Sequence, residues 1–309
     1  MKTLSNVSTY NRNADIILRI TSKCNEKCLF CFVKLGKNHK KLETIKKEID
    51  RTCKTYKNAN IKFIISGGEP TLHPDFLNIV DYIFSKDKNN NIALQLETNA
   101  TMFGVEKITN HLKKYGEKIS FFISFHSHIE QLYNLITQTK GIYKLAINGI
   151  NKIIENFPKS NITINIVLNS LNINFIEKHY LFIAENFYTK NNNIHLNFSV
   201  MTNMERYSYA DKLLIKYSKI VDILNSLGKL HNKYPIQITS PFGGPCGMPY
   251  CIGKNLFCFN DIRKIKHKKI EERIKFETCK SCKYDECCVG ILKKYVEKYG
   301  NGEIIAIKN

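Results

Sequence analysis

Short apolar runs alternate with longer amphipathic ones along most of this chain. Six runs rich in Ile, Phe, Leu and Val predict strands at Asp15–Ile20, Ile61–Ser66, Ile92–Thr98, Ile119–Phe125, Asn161–Leu168 and Ile194–Val200. Near-continuous apolar strands are expected where both faces of a sheet are covered. Apolar positions at helical spacing predict helices over Leu42–Thr55, Pro74–Ser85, Phe103–Tyr115, Ile142–Asn156 and Asn174–Phe187. Strands alternating with helices imply an α/β fold with a parallel sheet of right-handed βαβ units. Six units make a partial (β/α)6 TIM-like barrel, left open where the full barrel would close. Functional residues then belong at the C-terminal ends of the strands.

The pattern changes near Tyr234. A helix expected over about residues 209–231 is followed by the Pro/Gly-rich run SPFGGPCGMPYC. Seven of the eleven cysteines lie beyond that point. Dense cysteine is what a small metal-stapled domain needs. The expected division is therefore a barrel over 1–234 and a small cysteine-rich domain over 235–309.

A chain of 309 residues with 43% hydrophobic content suits one large domain plus such an appendix. No apolar run is long enough to span a bilayer, and the polar start MKTLSNVSTYNRNAD has no signal-peptide core. The expectation is a cytoplasmic protein with no membrane partner. In that compartment clustered cysteines point to metal rather than to disulfides. The net charge of +20 invites a nucleic-acid partner. The excess, however, is mostly Lys dispersed among Asn and Ile, and its densest stretch is the short RKIKHKK at Arg263–Lys269. Such a surface suits an acidic peptide, an acidic redox partner or RNA. Nucleic acid stays possible without being favoured.

The chemistry concentrates in two runs. Cys24, Cys28 and Cys31 read C-x3-C-x2-C directly after the first predicted strand. Three thiolates so spaced can hold three irons of a [4Fe–4S] cube and leave the fourth open, whereas full protein ligation normally takes four Cys. A structural zinc is the alternative. It needs a fourth ligand, and the nearest candidate, His39, sits just before a Lys-rich helix. The second run, ISGGEPTLHP, closes the second strand. Gly67 and Gly68 allow close backbone approach, their carbonyls and the Glu69 carboxylate can receive an ammonium, and Pro70 stiffens the exit.

Together these runs resemble the radical S-adenosylmethionine (radical SAM) enzymes over roughly residues 14–200. Cys24, Cys28 and Cys31 match the family's cluster motif. Phe30 matches the aromatic position near the adenine, and Gly67, Gly68, Glu69 and Pro70 match the GGEP motif that holds the methionine amino group. LETNAT, with Asn99, resembles the third-strand TNG run, Ala100 standing in place of Gly. SFH resembles the fourth-strand end, where the resemblance implies that Ser124 faces the methionine carboxylate or the ribose. It also offers Asn165 or Asn169 for the ribose. Structural roles for Ser124, Asn165 and Asn169 stay open. The resemblance implies a SAM-binding [4Fe–4S] cluster, reductive SAM cleavage to a 5′-deoxyadenosyl radical, hydrogen abstraction from a substrate, and a flavodoxin- or ferredoxin-type electron donor.

The C-terminal run CKSCKYDECCVG resembles the SPASM or shorter twitch extension, which carries auxiliary [4Fe–4S] clusters. Cys279, Cys282 and Cys288 would be ligands together with one of Cys246, Cys251 or Cys258, and Cys287 is a further candidate. The C-x3-C tail of a full SPASM domain is missing, so one auxiliary cluster is expected, with two still open and a structural zinc as the alternative. Proteins with this arrangement often crosslink or epimerise ribosomally made peptides, which makes a peptide the expected substrate. Only about 14 residues precede the first strand, so the leader-recognition domain of many peptide maturases finds no room there. The competing readings are an enzyme acting on a small molecule, nucleotide or RNA base, and a non-catalytic iron–sulfur or zinc protein. No single residue stands out as the catalytic group.

Overall fold

The structure is a computed structural model that describes residues 13–201, 210–239, 246–254, 256 and 270–308. Seven strands form its main sheet: β1 (Asn13–Thr21), β2 (Asn60–Gly67), β3 (Ile92–Thr98), β4 (Ile119–Ser124), β5 (Ile162–Leu168), β6 (Ile194–Val200) and β7 (Gln237–Thr239). They lie in sequence order, β1-β2-β3-β4-β5-β6-β7. The pairs β1–β2, β2–β3, β3–β4 and β6–β7 run parallel. The fold is the expected open α/β arrangement of βα units, with one strand more than the sequence suggested. β7 escapes a periodicity search because it has three residues and follows Pro235.

The helices between the strands are α1 (Leu42–Thr55), α2 (Phe76–Ser85), α3 (Glu106–Leu112), α4 (Glu130–Thr137), α5 (Ile142–Asn156) and α6 (Ile176–Ile183). In α1 the spacing of Ile45 and Ile49 puts both on one buried face. Burying one such side chain contributes about 1.5–3 kcal/mol. The expected helix to Tyr115 gives way to 3₁₀ turns over Lys113–Lys118, where Gly116 adopts φ +52°. The helix expected to Phe187 passes into a π-turn over Ala184–Tyr188. The long helix expected before Tyr234 is three pieces: α7 (Ala210–Leu213), α8 (Tyr217–Ser226) and α9 (Gly228–Lys233).

The chain divides into two compact units. One comprises residues 1–25, 33–123 and 145–162, and its core is built on Phe63, Ile65, Leu94, Leu96, Phe121 and Phe157. Its edge strand β1 alternates rather than being covered on both faces, and Ile17 is 56% exposed. The other unit comprises 26–32, 124–144 and 163–309. Its core includes Phe125, Ile164, Ile166, Phe198 and the stacked pair Tyr217–Tyr295, with centroids 4.0 Å apart. This unit also holds α10 (Tyr250–Gly253), the antiparallel pair β8 (Arg273–Ile274) and β9 (Ile291–Leu292), and α11 (Lys293–Tyr299).

Candidate functional site

The first cysteine follows β1 after an irregularity in the β1–β2 register between Arg19 and Thr21. Such irregularities re-aim the strand end. Thr21 is then pinned from the side by His39, whose Nδ1 lies 3.0 Å from Thr21 Oγ1. His39 also packs edge-on against His73, with centroids 5.1 Å apart. His39 therefore positions the strand end.

Gly67 and Gly68 are needed by their own fold. Gly67 has φ +144°, and a Cβ there would lie 2.3 Å from the Thr21 carbonyl oxygen. A Cβ on Gly68 would lie 2.1 Å from the Lys23 carbonyl oxygen. The close approach lets Gly68 N–H donate to Thr21 O and Glu69 N–H donate to Lys23 O, both at 2.8 Å. The GGEP run thereby holds the start of the cysteine loop by its backbone. Pro70 opens a 3₁₀ turn over Pro70–Leu72.

Glu69 is buried, and its carboxylate organises the ends of two strands. Oε1 accepts from Thr71 N–H (3.2 Å), Thr71 Oγ1 (2.5 Å) and Thr98 Oγ1 (2.8 Å), while Oε2 accepts from Asn99 N–H (2.8 Å). Burial pushes the Glu69 carboxyl above its usual range, and these hydrogen bonds pull against it. A carboxylate has room for about four donors; three here crowd Oε1 and one reaches Oε2. Asn99 in turn donates through Nδ2 to Asn25 Oδ1 (2.8 Å), and Asn25 Nδ2 donates to Thr101 Oγ1 (2.8 Å). Asn25 follows Cys24 directly and belongs to no motif that marks it in the sequence. Ala100 takes φ +63°, the left-handed conformation that explains a Gly at this place in the resembling motif.

Around the other cysteines, the Cys31 N–H donates to Cys28 O at 3.0 Å and closes a tight turn. Cys28 Sγ lies 3.3 Å from Glu26 Oε2, and Glu26 Oε1 accepts from Tyr133 OH at 2.9 Å. Phe30 meets His126 edge-to-face, with centroids 4.8 Å apart. His126 is buried, and burial pushes its pKa down to about 3. Its unprotonated Nδ1 accepts from Val167 N–H at 3.3 Å.

Ser124 ends β4 half-buried. The Asn165 Oδ1 accepts from Asn197 Nδ2 (2.7 Å) and Ser199 Oγ (2.8 Å), so its amide N–H groups are what it can offer a ligand. The Asn169 side chain is spent on its own turn, accepting from Leu171 N–H and donating to Val167 O.

Four C-terminal cysteines share the walls of one hollow. They are Cys251, Cys279, Cys282 and Cys288, with Tyr250, Ile274, Phe276 and Ile291 among its other walls. Backbone N–H groups point at two of the sulfurs: Phe276 N–H at Cys279 Sγ and Gly290 N–H at Cys288 Sγ, each 3.4 Å away. Burial pushes the Cys251 thiol up to about 11 and raises Cys288 as well. The structure does not bring Cys246 or Cys287 into this lining. Cys246 is exposed, and the buried Cys287 Sγ donates to Tyr284 O at 3.4 Å. Cys258 lies outside the described residues. Cys53 sits half-buried in α1.

The profile of the radical SAM superfamily matches residues 18–183, more than half of the chain. The chain belongs to the radical SAM superfamily. A probable GTP 3′,8-cyclase of Methanococcus maripaludis is 32% identical over 158 residues, which is 48% of this chain and 50% of that protein. The chain spans half or less of the curated relatives it matches. Among solved structures, native anSMEcpe with bound AdoMet (SAM) and a peptide superposes with a TM-score of 0.64 at 16% identity. The match covers 95% of this chain and 93% of that one. SuiB of Streptococcus suis bound to its precursor peptide SuiA gives a TM-score of 0.56 at 17% identity, covering 74% of this chain and 48% of that one. At these identities the likeness establishes the fold.

Radical SAM membership implies a [4Fe–4S] cluster and SAM as cofactors. The donor set fits that pair. Cys24, Cys28 and Cys31 supply three thiols, none of them sealed in the core. These three residues would hold the cluster, and SAM when bound would stand in for a fourth protein ligand. Among the described residues no helix is long and apolar enough to cross a membrane.

Proposed function

We propose that this radical SAM enzyme modifies a peptide and carries one auxiliary [4Fe–4S] cluster. In this reading Cys24, Cys28 and Cys31 hold the SAM-binding cluster. Phe30, Gly67, Gly68, Glu69, Pro70, Asn99 and Ser124 receive SAM, and the ribose contact falls to Asn165 rather than to Asn169, whose amide is already used. The auxiliary cluster sits in the region from residue 235 onward, on Cys251, Cys279, Cys282 and Cys288. When bound, SAM and its cluster supply a 5′-deoxyadenosyl radical able to take a hydrogen atom from the substrate. The chain's own part is to fix the cysteine loop through Gly67–Glu69, to orient the end of β3 through Glu69, and to keep His126 neutral beside Phe30.

The observation that carries the reading is the four-cysteine hollow. A fully ligated cube can take an electron from a substrate radical without needing an open iron, which suits an oxidative crosslink. Solved peptide-bound proteins of the same fold support a peptide substrate. A flavodoxin- or ferredoxin-type protein would supply the electron, and the basic surface suits an acidic donor. A second reading, action on a nucleotide or other small molecule, is supported by the GTP 3′,8-cyclase relatives.

Anaerobic reconstitution with SAM, a reductant and candidate peptides, followed by mass spectrometry, tests the choice. A peptide mass change of minus two hydrogens, or deuterium uptake at an epimerised carbon, supports a peptide substrate. Turnover of nucleotides alone overturns it.

A further inference from the structure

Arg273 is a buried cation of the cysteine-rich region. It lies on β8, opposite Leu292 of β9, and is 4% exposed. Its guanidinium bridges two loops. Nη1 donates to Gly290 O at 2.7 Å, and Nη2 donates to Gly247 O at 2.8 Å. Gly290 is the residue whose N–H points at Cys288 Sγ. It takes φ +82°, and a Cβ there would lie 2.4 Å from the Ile274 carbonyl oxygen, so this loop is pressed directly onto β8. Gly247 begins the short segment that leads to Cys251. One side chain thus ties the loop that carries Cys288 to the segment that leads into α10, where Cys251 sits. A planar fork with several donors can bridge two carbonyls in this way, whereas an ammonium makes a point contact. The cation that lines the hollow itself, Lys275, is paired with Asp285 at 3.0 Å.

Reducing a cubane adds one electron to the cluster and breaks no bond. A [4Fe–4S] centre held by four thiolates becomes more negative when it is reduced. Net charge, hydrogen bonds to the sulfurs and solvent exposure set how easily that happens. A fixed positive charge in a dry site favours the reduced form.

We propose that Arg273 is a positioning residue for the auxiliary cluster, clamping the Cys288 loop to the segment that leads into α10 and raising the cluster's reduction potential so that it accepts an electron during turnover. The proposal rests on the four-cysteine reading above. It is not implied by that reading, because four thiolates would hold the cube without any cation.

The test uses the full chain, reconstituted anaerobically, with Cys24→Ala, Cys28→Ala and Cys31→Ala removing the other cluster's signal. The auxiliary centre is then titrated potentiometrically and read by electron paramagnetic resonance. Arg273→Gln should lower the reduced-to-oxidised ratio at a fixed potential by about tenfold or more, which for one electron is about 59 mV. Arg273→Lys should keep most of the potential. A Gln variant that titrates like its parent overturns the proposal. Should the Gln variant not fold, Arg273→Lys is measured alone. Release of auxiliary iron to a chelator should then be at least tenfold faster, and an unchanged rate overturns the clamp. Failure of the underlying reading shows elsewhere: Cys282→Ala would keep its full auxiliary iron content.

Discussion

Glu69 Oε2 accepts the Asn99 backbone N–H at 2.8 Å, joining the ends of the adjacent strands β2 and β3 through one buried carboxylate. Three further hydrogen bonds end on the same group, from Thr71 N–H, Thr71 Oγ1 and Thr98 Oγ1. Glu69→Ala strands these donors in the interior. The expected cost is about 2–4 kcal/mol of folding stability, together with weakened SAM binding and nearly unchanged iron content. Glu69→Gln keeps an acceptor for the threonines but turns an amide donor toward the Asn99 N–H, so a smaller loss of about 1–2 kcal/mol is expected. Denaturant unfolding and calorimetric SAM titration of the anaerobic protein check both. A Glu69→Ala protein as stable as the parent would contradict the assigned role.

Ala100 occupies a left-handed backbone conformation, φ +63°, that costs a residue with a Cβ. Ala100→Gly should relieve that strain. The gain is offset by the extra freedom of glycine in the unfolded chain, leaving about 0.5–1 kcal/mol of net stabilisation. Gly149 in α5 is the reverse case, since a Cβ there would lie 1.8 Å from the Ala100 carbonyl oxygen. Gly149→Ala should destabilise by about 2 kcal/mol or more. The two midpoints should move in opposite directions in one denaturant series.

The sequence was informative where chemistry left a local signature. The cysteine spacing, the GGEP run and the apolar strands are each written within about ten residues, and the structure has β3 and β6 at the bounds read from the pattern. What was illegible is non-local. Nothing near Asn25 announces that its amide meets Asn99 and Thr101 about 75 residues on. Spacing alone left Cys246, Cys251 and Cys258 equivalent as partners for the C-x2-C-x5-C run. The three differ only in where the chain carries them, and the described residues bring Cys251 to the hollow. The roles of Gly67 and Gly68 were half-legible. Their need for close approach was readable, but the approaching group is the backbone of Thr21 and Lys23.

Acid should destabilise the fold through its buried histidines. His126 and His179 are both buried, with pKa values pushed down by burial to about 3 from an ordinary 6.5. Between those values the unfolded chain binds a proton that the folded chain refuses. Stability is therefore fully present above about pH 6.5 and falls as the pH drops toward 3, by up to about 1.4 kcal/mol per pH unit for each group. His179 donates through Nε2 to Phe125 O at 3.0 Å. His179→Gln can keep that hydrogen bond and cannot take up charge, so its stability should fall less steeply over the same window. Urea unfolding at a series of pH values reads the slope. An unchanged slope would place the acid sensitivity in other groups.

The iron content of single cysteine variants separates the two cysteine sets. Cys28→Ala should abolish SAM cleavage and remove about four irons while leaving the auxiliary signal, because its loop carries the C-x3-C-x2-C motif. Cys251→Ala and Cys282→Ala should each lower auxiliary iron and allow some uncoupled SAM cleavage, since both sulfurs line the hollow. Cys246→Ala and Cys287→Ala should keep the parent's iron, because the first side chain is exposed and the second is turned to the Tyr284 carbonyl. Iron and sulfide analysis with product chromatography reads all five variants. The decisive comparison is Cys251 against Cys246. They lie five positions apart and both precede the C-x2-C-x5-C run, so only their different placement predicts opposite outcomes. Equal iron loss in the two would mean that a second cluster shares the loop, and full retention in both would mean that the fourth ligand is elsewhere.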